Sequence, residues 1–177
     1  PVRRNCFHPK AGYGNAILSR FPITATDLFN LTYPEVIREA RGCLHATLDI
    51  KGNPLHVFCV HLGLARRERH YQVERLLSEE VVHDSRFGNG PKILLGDFNN
   101  WWPVKSAREM ERHFQNACVV TGRRRQATYN GVMNMLCLDY IFTSPELKIL
   151  SYEVRKTGPA QVASDHFPVI CEVQCPW

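Results

Sequence analysis

The chain has no apolar stretch near the roughly 20 residues that cross a bilayer, and its opening Pro1-Val2-Arg3-Arg4-Asn5 starts no signal-peptide core, so it reads as soluble. It has no Cys-x-x-Cys, and its seven cysteines are odd in number, which fits neither a zinc knuckle nor a closed disulfide framework. Cys59, Cys137 and Cys171 stand inside apolar runs, as reduced core thiols in a cytoplasmic compartment would. Internal repeats, low-complexity tracts and a tail massed in one charge are also missing. The net charge of +5 is spread along the sequence. It favours anionic partners without choosing between nucleic acid, a phospholipid head group and a small phosphate ester.

What is present is an ordinary globular composition, 44% hydrophobic and 22% charged, over a length that buries a sizeable core. Residues 1–177 are therefore expected to form a single domain. Tyr13 to Phe21 reads as a strand ended by Pro22, and Cys43 to Ile50 as a strand with Leu44, Ala46, Leu48 and Ile50 on one face. Lys51-Gly52-Asn53-Pro54 turns the chain into a further strand, Leu55 to His61. From Ala65 to about His83, Val73, Leu76, Leu77 and Val81 recur at helical spacing, with Arg66, Arg67, Glu68, Arg69, Glu74, Arg75 and Glu79 on the opposite face. Lys92 to Asp97 follows as a strand, giving the order of an α/β crossover. Ser106 and Glu109 have capping-box spacing for a short helix, and Leu136 to Thr143, Leu147 to Arg155 and Phe167 to Val173 read as strands. Many strands against few helices predict packed sheets with helices outside.

Polar residues gather at the ends of these apolar runs. His61 closes Val57 to Val60, Asp97 and Asn99 close Lys92 to Leu95, and Asp165-His166 precede the last strand. Asp139 lies within Leu136 to Phe142. A carboxylate, amide or imidazole at a buried strand end must be paired, metal-bound or shifted in pKa. Asp97 and Asn99, two apart, can face the same way and hold a water and a phosphoryl oxygen, although Asp and Asn also make ordinary turns. His166 suits a general base and Asp165 a hard cation, while Asp139 accepting from one nitrogen of His166 would raise the basicity of the other. His61 and Asn15, each taken alone, read as a core histidine and a backbone cap. Trp101-Trp102 directly after the Asp97/Asn99 turn could stack on a base or meet a head group, and with Arg123-Arg124-Arg125 they sustain a nucleic-acid reading.

Five ordered segments, Gly14-Asn15-Ala16-Ile17-Leu18-Ser19-Arg20, Val60-His61-Leu62, Gly96-Asp97-Phe98-Asn99, Leu138-Asp139-Tyr140-Ile141 and Ser164-Asp165-His166-Phe167-Pro168, resemble the endonuclease/exonuclease/phosphatase superfamily. Glu39-Ala40-Arg41-Gly42 and His61-Leu62-Gly63-Leu64 with Arg67-Glu68-Arg69 and Gln72 look most like an uncharacterised bacterial branch of it. The resemblance implies an α/β fold of two packed β-sheets with helices on the outer faces, a four-layer sandwich. It implies hydrolysis of a phosphate ester with Mg²⁺, or Mn²⁺, assisting the attack of water. On that reading Asp97, Asn99, His166, Asp139 and His61 are catalytic, Asn15 and Trp101 contact substrate, and Asp165 lies near the metal. The favoured activity is that of a phosphodiesterase, on nucleic acid or on a lipid or small-molecule ester, and the alternative is a degenerate member that binds phosphate ligands or a partner. The family pattern begins with an Asn-bearing strand and a Gln-Glu whose Glu is a principal metal ligand. Neither stands before Gly14, and Glu35 and Glu39 come after the Gly14–Arg20 segment. The expectation is an N-terminally incomplete family domain with weak metal affinity, its sheet completed by a partner or by a further N-terminal segment.

Overall fold

The computed structural model describes residues 14–35, 39–88, 90–100, 105–123, 126–131 and 136–177, the side chains of 105 and 106 apart. Six strands form one sheet in the order β1-β2-β3-β4-β6-β5: β1 (Ile23–Asn30), β2 (Gly42–Ile50), β3 (Asn53–His61), β4 (Lys92–Asp97), β5 (Gln115–Asn116) and β6 (Asp139–Thr143). A second sheet pairs β7 (Lys148–Val154) with β8 (Val169–Gln174). The helices are α1 (Arg66–Leu76), α2 (Lys105–His113), α3 (Ala117–Val120) and α4 (Gly158–Ala163), with a 3₁₀ turn over Ser85–Phe87. This is the expected mixed α/β architecture of two sheets with fewer helices, the sheets being unequal, six strands against two.

Alternation of side chains across the strands makes two cores from one sheet. Cys43, Phe58, Val60, Leu94 and Phe142 face Val73, Leu76, Val81, Val82 and Phe87, together with Met110 and Phe114 of the α2 region. The opposite face, Leu44, Ala46, Leu48, Leu55 and Val57, packs with Ile17 and Leu147. A third cluster, Ala117, Cys118, Tyr152, Val154 and Phe167, joins α3 to the small sheet. None of the six described cysteines is in a disulfide, and among the described residues no helix is long and apolar enough to cross a membrane.

The β2–β3 hairpin turns at Lys51–Gly52, and β3–α1–β4 forms the expected crossover with β3 and β4 parallel. Four expectations change. No strand ladder runs through residues 14–21; the edge strand is Ile23–Asn30, beyond Pro22 rather than before it. Residues 78–83 leave the helical path after α1, because Ser78 Oγ and the nitrogens of residues 78–84 bond in successive turns. Glu68 and Arg69, assigned by periodicity to a solvated face, are buried along with Gln72. The polar stretch 156–165 contains α4, started by Pro159 in its first turn, where a missing N–H costs nothing.

Candidate active site

The register of three neighbouring strands places His61 opposite Asp97 and Asp97 opposite Asp139. Paired residues of adjacent strands share a face, so three residues far apart in sequence stand side by side at the ends of three interior strands of the large sheet. Backbone bonds fix the loops that leave these ends: Leu62 N donates to Asp97 O at 2.8 Å, and Phe98 N to Leu138 O at 2.8 Å. His166 arrives from the segment before β8, through an isolated bridge to Tyr129. Its Nδ1 lies 2.8 Å from Asp139 Oδ2, which fixes the ring and turns Nε2 towards Asp97 Oδ2, 3.9 Å away. Asp139 opens β6, rather than standing in the middle of a strand as expected.

Thr128, fully buried, ties this arrangement together. Its Oγ1 accepts from Leu138 N and Asp139 N at 2.9 and 3.0 Å, while its carbonyl accepts from Phe167 N at 2.7 Å. One residue thus anchors both members of the Asp139–His166 pair. The sequence signal for it is faint, a lone Thr in a polar stretch.

Two glycines are required by close approach. Gly96 adopts φ +135°, and a Cβ there would stand 1.9 Å from Val60 O, so β3 and β4 close up next to Asp97 only with glycine at this point. A Cβ on Gly63 would meet the Glu68 carboxylate at 1.8 to 2.2 Å. The loop after His61 is instead held by α1: Gly63 N donates to Gln72 Oε1 at 2.8 Å, Gln72 Nε2 to Glu68 Oε1 at 3.4 Å, and Arg69 Nη1 to the carbonyls of Gly63 and Leu64. The buried polar side of α1 therefore serves the site loop, which accounts for the departure from its amphipathic pattern.

The titrating groups divide by environment. Burial, with the Asp139 carboxylate adding to it, raises Asp97 to about 6. Burial lowers His61 to about 4, aided by the Arg41 charge. The 3.5 Å contact between His61 Nε2 and Asp97 Oδ2 is consequently a neutral imidazole beside a carboxylate at neutral pH, not an ion pair. His166 moves the other way, raised by its hydrogen bond to Asp139. The site so holds a carboxylate of unusual basicity within reach of an imidazole that favours its cationic form.

The remaining expected residues divide. Asn99 is buried with φ +48°; its backbone N donates to Asp97 Oδ1 at 2.7 Å and its amide Nδ2 to Leu62 O at 2.8 Å. It orients Asp97 and locks the His61 loop. Both amide hydrogens of Asn15 are used, on Gly42 O at 2.9 Å and Cys59 O at 3.0 Å, so Asn15 ties residues 14–19 to β2 and β3 instead of offering a donor to phosphate. Asp165 is exposed beside His166. Trp101, Trp102, Arg124 and Arg125 lie outside the described residues. Among the described residues no three His, Cys, Asp or Glu side chains converge to hold a metal ion. A hard cation seeks about six oxygens, and Asp97 and Asp139 are each engaged with a neighbouring donor or imidazole. The residues described do not amount to a Mg²⁺ site. Arg41, which the sequence does not mark as a site residue, is buried immediately before β2.

Comparison with known proteins bears on the family and the fold. The sequence model of the Endonuclease/Exonuclease/phosphatase family matches residues 1–166. The uncharacterised protein YbhP of Escherichia coli K12 is 31% identical over 96% of this chain, and the chain spans 66% of that relative's length. Among solved structures, a protein of unknown function from Enterococcus faecalis superimposes with TM-score 0.74 at 21% identity, over 87% of this chain and 67% of that one. A mannosyl-6-phosphatase from Bacteroides thetaiotaomicron gives 0.69 at 23% over 87% and 67%, and the human Nocturnin catalytic domain with bound sulfate 0.70 at 21% over 88% and 60%. At these identities the solved structures share the fold.

Proposed function

The chain belongs to the endonuclease/exonuclease/phosphatase family, and on that premise we propose that it is a hydrolase of phosphate esters, favouring phosphodiesters. The observation that carries this reading is the Asp139–His166 pair, whose far imidazole nitrogen faces Asp97 across 3.9 Å. At neutral pH Asp97, titrating at about 6, is ionised yet more basic than an ordinary carboxylate, which suits it to take a proton from an attacking water. His166, held by Asp139 and raised in pKa, supplies the opposing proton or positive charge to the leaving group or phosphoryl oxygens. Neutral His61 offers a hydrogen bond to a non-bridging oxygen. Asn99 acts as a positioning residue for Asp97 and the His61 loop.

A requirement for Mg²⁺ or Mn²⁺ belongs to the proposal through family membership. It is put to assay and no step of the mechanism runs through it. A second reading, a phosphate-binding member without turnover, is favoured by the missing three-donor cluster among the described residues. Hydrolysis of bis(4-nitrophenyl) phosphate, with and without Mg²⁺ or Mn²⁺, decides between them. The expected result is turnover that Asp97→Ala and His166→Ala each reduce by about 100-fold or more, the scale of general acid–base catalysis. Turnover indifferent to both substitutions sinks the mechanism. Absence of turnover under every metal condition, with phosphate still bound, selects the second reading.

A further inference from the structure

Arg41 stands immediately before β2, and the register Cys43↔Val60 sets it beside the end of β3 that carries His61. Its backbone is fixed on both sides. Arg41 N donates to Thr32 Oγ1 at 3.1 Å, and Arg41 O accepts from Leu31 N at 2.8 Å. The side chain is only 9% exposed, yet its single ion pair runs from Nη2 to Glu39 Oε2 at 3.0 Å, and Glu39 is 67% exposed. Nε is buried with no hydrogen-bond partner among the described residues. A guanidinium carries five N–H donors in a fork that matches the oxygens of a phosphate. Burying it with donors unmet is unfavourable unless a ligand supplies the acceptors.

The site gives a reason for such a group. Asp97 and Asp139 stand side by side with Asp165 nearby, and these carboxylates repel an anionic ester. A permanent cation is needed to admit one. The charge of Arg41 reaches both His61 and Asp97, lowering the pKa of each. Arg69 also lies within the field of Asp97, but its guanidinium is committed to the carbonyls of Gly63 and Leu64.

We propose that Arg41 binds the phosphoryl group, and that Glu39 is its resting counterion, a carboxylate standing in for phosphate and displaced from the guanidinium edge when an ester enters. The inference rests on the reading of the site as one for phosphate esters and adds the residue that admits the anion. It also assigns Glu39 an opposing role: the carboxylate screens the guanidinium in the empty site and competes with the ligand.

The test is calorimetric titration of the protein with inorganic phosphate in EDTA, alongside KM for bis(4-nitrophenyl) phosphate. Glu39→Gln is expected to tighten phosphate binding several-fold. Arg41→Gln is expected to weaken it about tenfold to a hundredfold, the range for a hydrogen bond to a charged group, with Arg41→Lys in between. KM follows the same order. Glu39 is at the surface, so its substitution remains informative if Arg41→Gln does not fold. Phosphate affinity unchanged or weakened in Glu39→Gln overturns the proposal. Phosphate binding that depends on Arg41 without any hydrolysis sinks the enzymatic reading alone, and hydrolysis with phosphate affinity indifferent to both residues sinks this inference alone.

Discussion

Asp97 illustrates a conflict between stability and chemistry at a single residue. Its carboxyl is pushed from 3.8 to about 6 by burial, so the folded state favours the protonated form. For an acid with a raised pKa, the penalty is absent below about 4, grows as pH rises through 6 and is complete above it. Asp97→Asn retains an oxygen for Asn99 N while removing the charge. It is expected to abolish hydrolysis and to stabilise the fold by on the order of 1–3 kcal/mol at pH 7.5, with no gain at pH 4. Urea unfolding in EDTA at the two pH values measures this, and a variant less stable than the parent at pH 7.5 contradicts it. The same pKa sets the acid limb of activity near 6, while the alkaline limb follows His166, whose cationic form is favoured by Asp139. Activity is therefore expected to fall away below about 6 and to persist on the alkaline side beyond the range of an ordinary histidine.

At the level of elements, the site depends on how closely β3 and β4 approach. Gly96→Ala would place a methyl 1.9 Å from Val60 O at φ +135°, and a change of that kind costs about 2 kcal/mol or more. The expected outcome is a lowered Tm together with a loss of activity larger than that at any surface glycine, read by thermal melts and the phosphodiester assay. A variant with unchanged Tm would show that the strands can part without cost. Elements with strong apolar runs were legible in the sequence: β2, β3 and β4 with the crossover helix, and β7 and β8 within a residue or two. β1 was not, because Thr24, Thr26 and Asn30 make it polar enough to pass for loop, as an edge strand can be. The burial of Glu68, Arg69 and Gln72 was hidden because periodicity sorts residues by hydrophobicity, whereas Arg69 and Gln72 are buried by hydrogen bonds to the His61 loop and Glu68 by the bond it accepts from Gln72. The His61, Asp97, Asp139 and His166 constellation was legible as polar ends of apolar runs. Arg41 was not, since it stands at the start of a strand and reaches the site only because β2 runs antiparallel to β3.

For the whole molecule, the histidines set the response to acid. His45 and His56 form a buried pair, Nε2 to Nδ1 at 3.2 Å, with Asp27 on His45 at 3.1 Å and Thr47 Oγ1 at 3.2 Å from His56. Arg86 bonds Asp27, and Lys92 lies close enough to act on His56. Burial lowers His45, and it lowers His56 to about 4, as it does His61. A base with a lowered pKa is protonated more readily in the unfolded chain, so stability falls as pH drops from about 6.5 towards 4. His166, raised, contributes the opposite slope, a stabilisation present below 6.5 and lost above its folded pKa, and Asp97 sheds its burial penalty as pH falls below 6, but these two stand against four, since burial lowers His83 as well. Unfolding free energy is expected to decline steadily from pH 7 to 4.5. His56→Asn should remove on the order of 2 kcal/mol of that decline whatever it does to stability at pH 7. An unchanged slope would place the acid sensitivity elsewhere.

The site draws on residues 61, 97, 139 and 166, and the contact of His61 with Asp97 lies on the one parallel pairing of the large sheet among the described residues. Parallel and distant pairings must bear the entropy of closing long loops before any contact rewards them. The hairpin of β2 and β3 can form as soon as its residues leave the ribosome, but Asp97 gains its proton partner only when the segment bearing His166 has been made and has met Asp139. The four residues thus come together only once the chain between 61 and 166 has folded back on itself.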